Sequence, residues 1–253
     1  MSKSIKGVLP KTCGVPAAVA AAVLALAAAP AAQAADLASS LQLVTQTEFR
    51  KMAEDLGAGL AYRGLAPAES LGVLGFDISA AVTGLELQDN NIWTRASGGD
   101  KVDKTVYLSG IRLHKGLPGN VDIEGYYSQG SRNVKAYGGA LRWAVLPGST
   151  LVPAVALRGS FTKLTGIDRL KADTMGLDVS ISKGFLMFTP YAGLGYVWTT
   201  TKPQDTPFLR KESIGMGRAF AGLNMNLGII NLSAEFDRTG SNDSYSLKAG
   251  LRF

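Results

Sequence analysis

One cysteine, one histidine and, past the N-terminal Ala-rich stretch, no apolar run long enough for a membrane helix: these scarcities exclude much before any motif is read. The single cysteine, Cys13, lies within that N-terminal stretch, so the rest of the chain has no thiol for a disulfide framework, a zinc site or a cysteine nucleophile. His114 stands alone, without spaced His or Cys partners for a transition metal and without a serine nucleophile beside it on the same strand face. No glycine-rich phosphate loop precedes a helix, so neither metal nor cofactor is expected. Charge is also modest. Lys3, Lys6 and Lys11 supply half of the +6 net charge, and the +3 left over gives no case for nucleic-acid binding.

Those three lysines precede an uncharged Ala-rich stretch and then Ala32-Gln33-Ala34, the basic, apolar and small order of a secretory signal peptide, with cleavage expected after Ala34. A retained anchor is the alternative, but Pro16 and Pro30 interrupt the run and Ala is only weakly apolar. Pro10-Lys11-Thr12 before Cys13 does not suit a lipidated cysteine. Residues 1–34 are therefore read as signal, 35–69 as a periplasmic or plug segment, and 70–253 as one repeated unit.

That unit alternates apolar with polar or small residues in ten segments: about Ser70–Leu87, Lys104–Lys115, Asn120–Gln129, Val134–Leu146, Thr150–Thr162, Ala172–Lys183, Phe188–Thr200, Ile214–Leu227, Ile229–Arg238 and Ser244–Phe253. Tight links built on Gly or Pro (Lys115–Gly119, Leu146–Ser149, Lys183–Leu186, Leu227–Ile229) take turns with longer polar ones (Gln88–Asp103, Gly130–Asn133, Lys163–Lys171, Thr201–Ser213, Thr239–Asp243). Such alternation predicts an all-β, transmembrane, antiparallel up-and-down barrel of about ten strands, with eight or twelve as alternatives. An even count returns both termini to the periplasm. A soluble barrel or sandwich has no reason to sort its links by length.

The last strand sharpens this. Tyr245, Leu247, Ala249, Leu251 and Phe253 share one face, and Ser246, Lys248, Gly250 and Arg252 the other. An apolar-outward strand with an aromatic C-terminus resembles the C-terminal signal of Gram-negative outer-membrane proteins. The resemblance, to small outer-membrane barrels as a class, implies export to the bacterial outer membrane and recognition of the terminal Phe by the barrel-assembly machinery. It implies no particular activity.

Period-two alternation then assigns the lumen. Asp77, Asp122, Glu124, Asp178, Glu235 and Asp237 point inward, as do Arg112, Arg142, Arg158, Arg218, Lys248 and Arg252, six acids against six bases. Folding the last hairpin about Ser241-Asn242 sets Glu235 opposite Lys248. A balanced interior with Tyr126, Tyr191 and Phe220 also inward reads as a paired network filling a narrow lumen, with an open or ion-selective pore as the alternative.

Ahead of the barrel, Thr45 and Glu48 form a capping box, Phe49, Met52 and Leu56 recur at helical spacing, and Gly57 supplies a stop. Either this short helix enters from the periplasmic side as a plug, with Arg50, Lys51, Glu54 and Asp55 meeting lumen charges, or it lies at the periplasmic rim. Catalytic candidates are weak. His114 falls at the periplasmic end inside the lumen, and Asp237 with Asp243 flanks the last link, where the pair could hold a water or cation. The links carry the remaining features: Trp93 as an exposed anchor or interface marker, Phe208, and the basic Arg169, Lys171 and Arg210-Lys211 facing lipopolysaccharide phosphates. The partners expected are outer-membrane lipid, lipopolysaccharide and, during biogenesis, the assembly machinery. No oligomeric state is implied, and the function expected is that of a non-enzymatic barrel, structural or interacting through its surface links, with a narrow pore plugged by the helix as the alternative and an outer-membrane hydrolase third.

Overall fold

Ten antiparallel strands close on themselves in the computed structural model, which describes residues 41–129, 135–167, 169–204 and 206–253. The strands are β1 Phe76–Glu86, β2 Thr105–Leu117, β3 Val121–Gln129, β4 Lys135–Leu146, β5 Ala154–Thr165, β6 Leu170–Ser182, β7 Phe188–Pro203, β8 Glu212–Leu227, β9 Ile230–Thr239 and β10 Asn242–Arg252. Each pairs with its sequence neighbours, and β1 pairs with β10 to close the ring. Helix α1, Gln46–Leu60, precedes the barrel, and a second short helix, α2 (Asn90–Ala96), forms in the first long link. The expected signal peptide and the whole Gly130–Asn133 link lie outside the described residues.

The outer surface follows the period-two reading. Leu141, Trp143, Met175, Leu177, Leu194, Trp198, Tyr245 and Leu247 are all exposed, whereas the neighbouring positions turn polar side chains into the lumen. No described helix is long and apolar enough to cross a membrane, and the apolar belt belongs to the strands. Ala249 shares the outward parity but is nearly covered, because it is short and is paired with Ala80 and Leu232. The C-terminus completes the seam: Phe253 and Phe76 exchange backbone hydrogen bonds of 2.8 and 3.0 Å.

Three local readings need correction. The first strand begins at Phe76, because residues 61–75 run as irregular chain through the barrel. The last hairpin turns one residue earlier than expected. Gly240, at φ +60°, and Ser241 form a two-residue loop closed by the Thr239–Asn242 pair. Glu235 therefore faces Ser246, and Lys248 faces Ser233. The same register puts Asp237 inward opposite Ser244 and Asp243 outward opposite Arg238, so these two acids lie on opposite faces and share no cation.

Helix α1 starts as expected, with both halves of the Thr45–Glu48 capping box formed. Gly57 does not stop it. The helix continues to Leu60, and Gly57 instead allows close approach to the wall, since a Cβ there would lie 2.6 Å from Met216 Cε and 2.7 Å from Thr199 Cγ2. Arg63 makes the stop, donating to the carbonyls of Ala58 (2.8 Å), Gly59 (3.3 Å) and Ala61 (3.1 Å).

Helix position is the larger correction. Gln46 bonds Glu212 and the backbone of Arg210, and Arg50 reaches Glu212 at 3.3 Å, all in or beside the β7–β8 link. Glu48 pairs with Arg95 of α2. The helix thus begins at the long-link rim, opposite the rim where β1 starts; Glu48, Arg50, Glu54 and Asp55 meet residues in or beside the links rather than lumen charges, and Lys51 is exposed. Its apolar stripe is covered there: Phe49 and Met52 pack with Leu41, Val44, Ile92, Trp93, Val102, Leu164, Ile167, Leu170 and Leu209 in one buried cluster. Burying each of the larger side chains contributes about 1.5–3 kcal/mol, so the links form a lid with a core of its own.

Candidate functional site: the threaded lumen

From α1 the chain descends the full length of the barrel. Tyr62 and Arg63 lie in its upper part, Leu65 in the middle, Pro67 to Ser70 near the short-turn rim, and Val73 and Gly75 at the rim itself. Irregular backbone inside a closed barrel must find partners for its N–H and C=O groups, because burying them unpaired is costly. The lumen side chains are those partners. Arg218 donates to the Tyr62 carbonyl (2.6 Å), Arg112 to that of Arg63, Ser233 to that of Leu65 (2.9 Å), and Arg142 to those of Pro67 (2.5 Å) and Glu69 (3.1 Å). The N–H of Ala68 donates to Ser182 (3.0 Å), and that of Leu71 to Asp122 (3.1 Å).

The twelve charged positions assigned to the lumen all face it, and all but Arg112 fall into two groups. Near the short turns, Arg142 binds Asp122 through two nitrogens (2.7 and 3.1 Å), while Asp77 takes Lys248 and Arg252, each at 3.2 Å. Lys248 thus finds its carboxylate on β1, across the closing seam, because its own hairpin partner is Ser233. At mid-height Arg158 binds Asp178 at 2.7 and 3.0 Å, and Arg218 spans Asp178, Glu235 and Asp237. Tyr191 donates to Glu235 (3.0 Å), and Tyr62 donates to Glu124 (3.1 Å). Higher up, Arg63 reaches Asp237 (3.3 Å) and the Ser244 hydroxyl (2.9 Å).

Arg63 belongs to the threaded segment and is a seventh lumen cation, which wall periodicity alone misses. A signal for it exists, since it is the single charged residue between Asp55 and Glu69. Arg112 is left without a carboxylate within ion-pairing distance among the described residues. Its guanidinium packs instead on the Tyr62 and Tyr126 rings, 4.8 and 5.5 Å from their centroids. Beside it, between the threaded chain and β1–β4, lies a cavity of about 50 Å³ lined by Arg63, Arg112, Tyr126, Ser109 and Ser128, room for water and little more.

His114 is buried in the lumen near the short turns, as expected. Its Nε2 lies 3.0 Å from Arg142 and 3.5 Å from Asp122. Ser70, brought close by the threaded segment, donates its hydroxyl to Asp122 (2.8 Å) and not to the imidazole. The arrangement positions backbone, and no nucleophile–base pair is assembled. No group of three or more metal-ligating side chains occurs among the described residues.

Trp93 is the other correction. It is buried, and its indole N–H donates to Asp55 at 2.7 Å; Asp55 also accepts from the Gln88 N–H (3.1 Å) and Asn242 (2.6 Å). This latch joins α1 to the β1–β2 link and the β9–β10 turn. Burial raises the Asp55 pKa above its ordinary value, against the opposing pull of those three donors. At the helix start, the Thr45 N–H holds Glu48 below its ordinary value.

No family model matches the chain, and no curated protein matches it. Among solved structures it is similar to the N-terminal β-barrel domain of Pseudomonas aeruginosa OprF, at 13% identity over 70% of this chain and 97% of that one, with a TM-score of 0.37. It is similar to the translocator domain of the autotransporter NalP from Neisseria meningitidis, at 13% identity over 82% and 95%, with a TM-score of 0.39. Similarity extends to Ail of Yersinia pestis, at 16% identity over 71% and 98%, with a TM-score of 0.30. Likeness at this level concerns fold alone, and the strand pairing establishes the barrel without it.

Proposed function

We propose that this chain is an integral barrel of the bacterial outer membrane, its long links facing outward, that is closed at rest by its own N-terminal segment and acts through its outer surface rather than by catalysis. The observation that carries the reading is residues 61–75 occupying the lumen end to end, with their carbonyls bound by Arg112, Arg142, Arg218 and Ser233. The apolar strand exterior supports lipid as the surrounding solvent, and the seam at Phe253 supports a role for the terminal strand in assembly by the barrel machinery. Arg210, Lys211 and the exposed Phe208 of the β7–β8 link suit contact with lipopolysaccharide phosphate and acyl groups.

Recording in planar bilayers tests closure. The purified full chain is expected to be electrically silent, and steady ohmic conductance from it would refute the reading. A second reading is a narrow pore whose plug can leave. It is favoured by the threaded segment being held without covalent links and by the cavity beside Arg112. Deleting residues 41–69 would then produce conductance. Recovery of a folded, detergent-free, water-soluble monomer would remove the membrane assignment itself.

A further inference from the structure

The threaded segment has a direction, and that direction places the two ends of the described chain at opposite rims. Leu41 is buried in the lid core at the long-link rim, and Leu43 beside it is 64% exposed. Gln46, Glu48 and Arg50 are tied to Arg210, Glu212 and Arg95, all in or beside the long links. From there the contacts descend in sequence order: Gly57 against Thr199 and Met216, the Tyr62 carbonyl with Arg218, that of Arg63 with Arg112, that of Leu65 with Ser233, Ala68 with Ser182, then Val73 and Gly75 with Lys115. Phe253 closes the seam at the short-turn rim, beside the start of β1.

We propose that the barrel is a threaded anchor that holds Leu41, Leu43 and the start of α1 on the long-link side of the membrane. An exported N-terminus begins on the short-turn side, so that segment crosses the membrane within the barrel as the strands close around it. The lumen is built for such a passenger. Arg112, Arg142, Arg218 and Ser233 bind its main-chain carbonyls, contacts that any sequence offers, and Tyr62 and Arg63 add side-chain pairs with Glu124 and Asp237 once in place. Once α1 arrives, the capping box, the Arg63 stop and the Asp55–Trp93 latch fix it at the outer rim. The ligand of this lumen is therefore an extended peptide, namely the chain's own. This inference rests on the outer-membrane reading for the absolute side, but the relative placement of Leu43 and the long links does not.

Single-cysteine variants in a Cys13→Ser background test it with a membrane-impermeant maleimide on cells. Leu43→Cys reports the N-terminal side, Phe208→Cys the long links, and Leu151→Cys, at an 89% exposed position, the short turns. The expected result is equal labelling of Leu43→Cys and Phe208→Cys in intact cells, with Leu151→Cys labelled only after the outer membrane is permeabilised. Leu43→Cys behaving like Leu151→Cys and unlike Phe208→Cys overturns the inference. Leu43→Cys and Phe208→Cys both protected while Leu151→Cys reacts leaves the threading intact and overturns the orientation instead. If labelling is poor throughout, the purified Gln46→Cys/Arg210→Cys variant decides. Diamide oxidation should join the two sites within one chain, and a folded protein that forms no such crosslink overturns the threading.

Discussion

Replacing Trp93 with Phe keeps the ring that fills the lid and removes only the N–H that reaches Asp55. A hydrogen bond to a charged group is worth about 1.5–3 kcal/mol, and Asp55 retains the Gln88 and Asn242 donors, so the loss belongs at the low end, near 1.5 kcal/mol. That corresponds to about a tenfold rise in the population whose lid has lifted from α1. Met52, 1% exposed beneath the lid, supplies the reporter. In a Met52→Cys, Cys13→Ser background the maleimide labelling rate of the folded barrel should rise by about that factor on Trp93→Phe. The heat-modifiable gel migration of the barrel should not change, because the opening is local. Adding Asp55→Asn completes a double-mutant cycle with a coupling of about 1 kcal/mol. Unchanged Met52→Cys labelling, or a coupling near zero, refutes the latch.

Arg142→Ala strips partners from Asp122, Pro67 and Glu69 together and should cost about 3–5 kcal/mol in urea-unfolding experiments in detergent, the range for a broken buried ion pair. Gly250→Ala puts a Cβ 2.4 Å from Ser79 Cβ and 2.7 Å from the Ile78 carbonyl at the β1–β10 seam. It should destabilise closure by about 1–3 kcal/mol, read as a smaller heat-modifiable fraction after refolding. The folded pKa of Asp55 is raised, so its contribution is full below the ordinary carboxylate value and is lost as pH rises through the folded value. Met52→Cys labelling, corrected for thiolate fraction, should therefore increase over that window, and a flat profile in the Asp55→Asn variant identifies the group. Glu48 works in the opposite sense, its cap weakening as pH falls through its lowered value, which Glu48→Gln removes.

Much of this molecule is written in local pattern. Side-chain alternation has a period of two, so a stretch such as Met175, Leu177, Val179 and Ile181 declares both strand and outward face by itself. Gly and Pro mark the tight links, and an even number of strands follows from their alternation with long ones. Thr45 and Glu48 announce the start of α1 because a capping box is satisfied within four residues. The inward charges were also legible, since an apolar outer face leaves only the lumen for Arg158 or Asp178.

What the local pattern leaves open is everything that depends on which distant groups meet. An amphipathic stripe requires that Phe49 and Met52 be covered, but lipid, lumen or lid would each satisfy it, and only the folded links show that the cover is Trp93, Leu164 and Leu209. Gly57 reads as a stop until Met216 and Thr199 are found against it. One residue in the placement of the Gly240-Ser241 loop moved Glu235 off Lys248, because antiparallel register changes by two for each residue the turn moves. The direction of the threaded segment is the extreme case. Sequence alone determined that a helix precedes a barrel. The rim at which it begins was decided by carbonyls that had to find Arg112, Arg142 and Arg218 along a lumen that exists only once ten strands have closed.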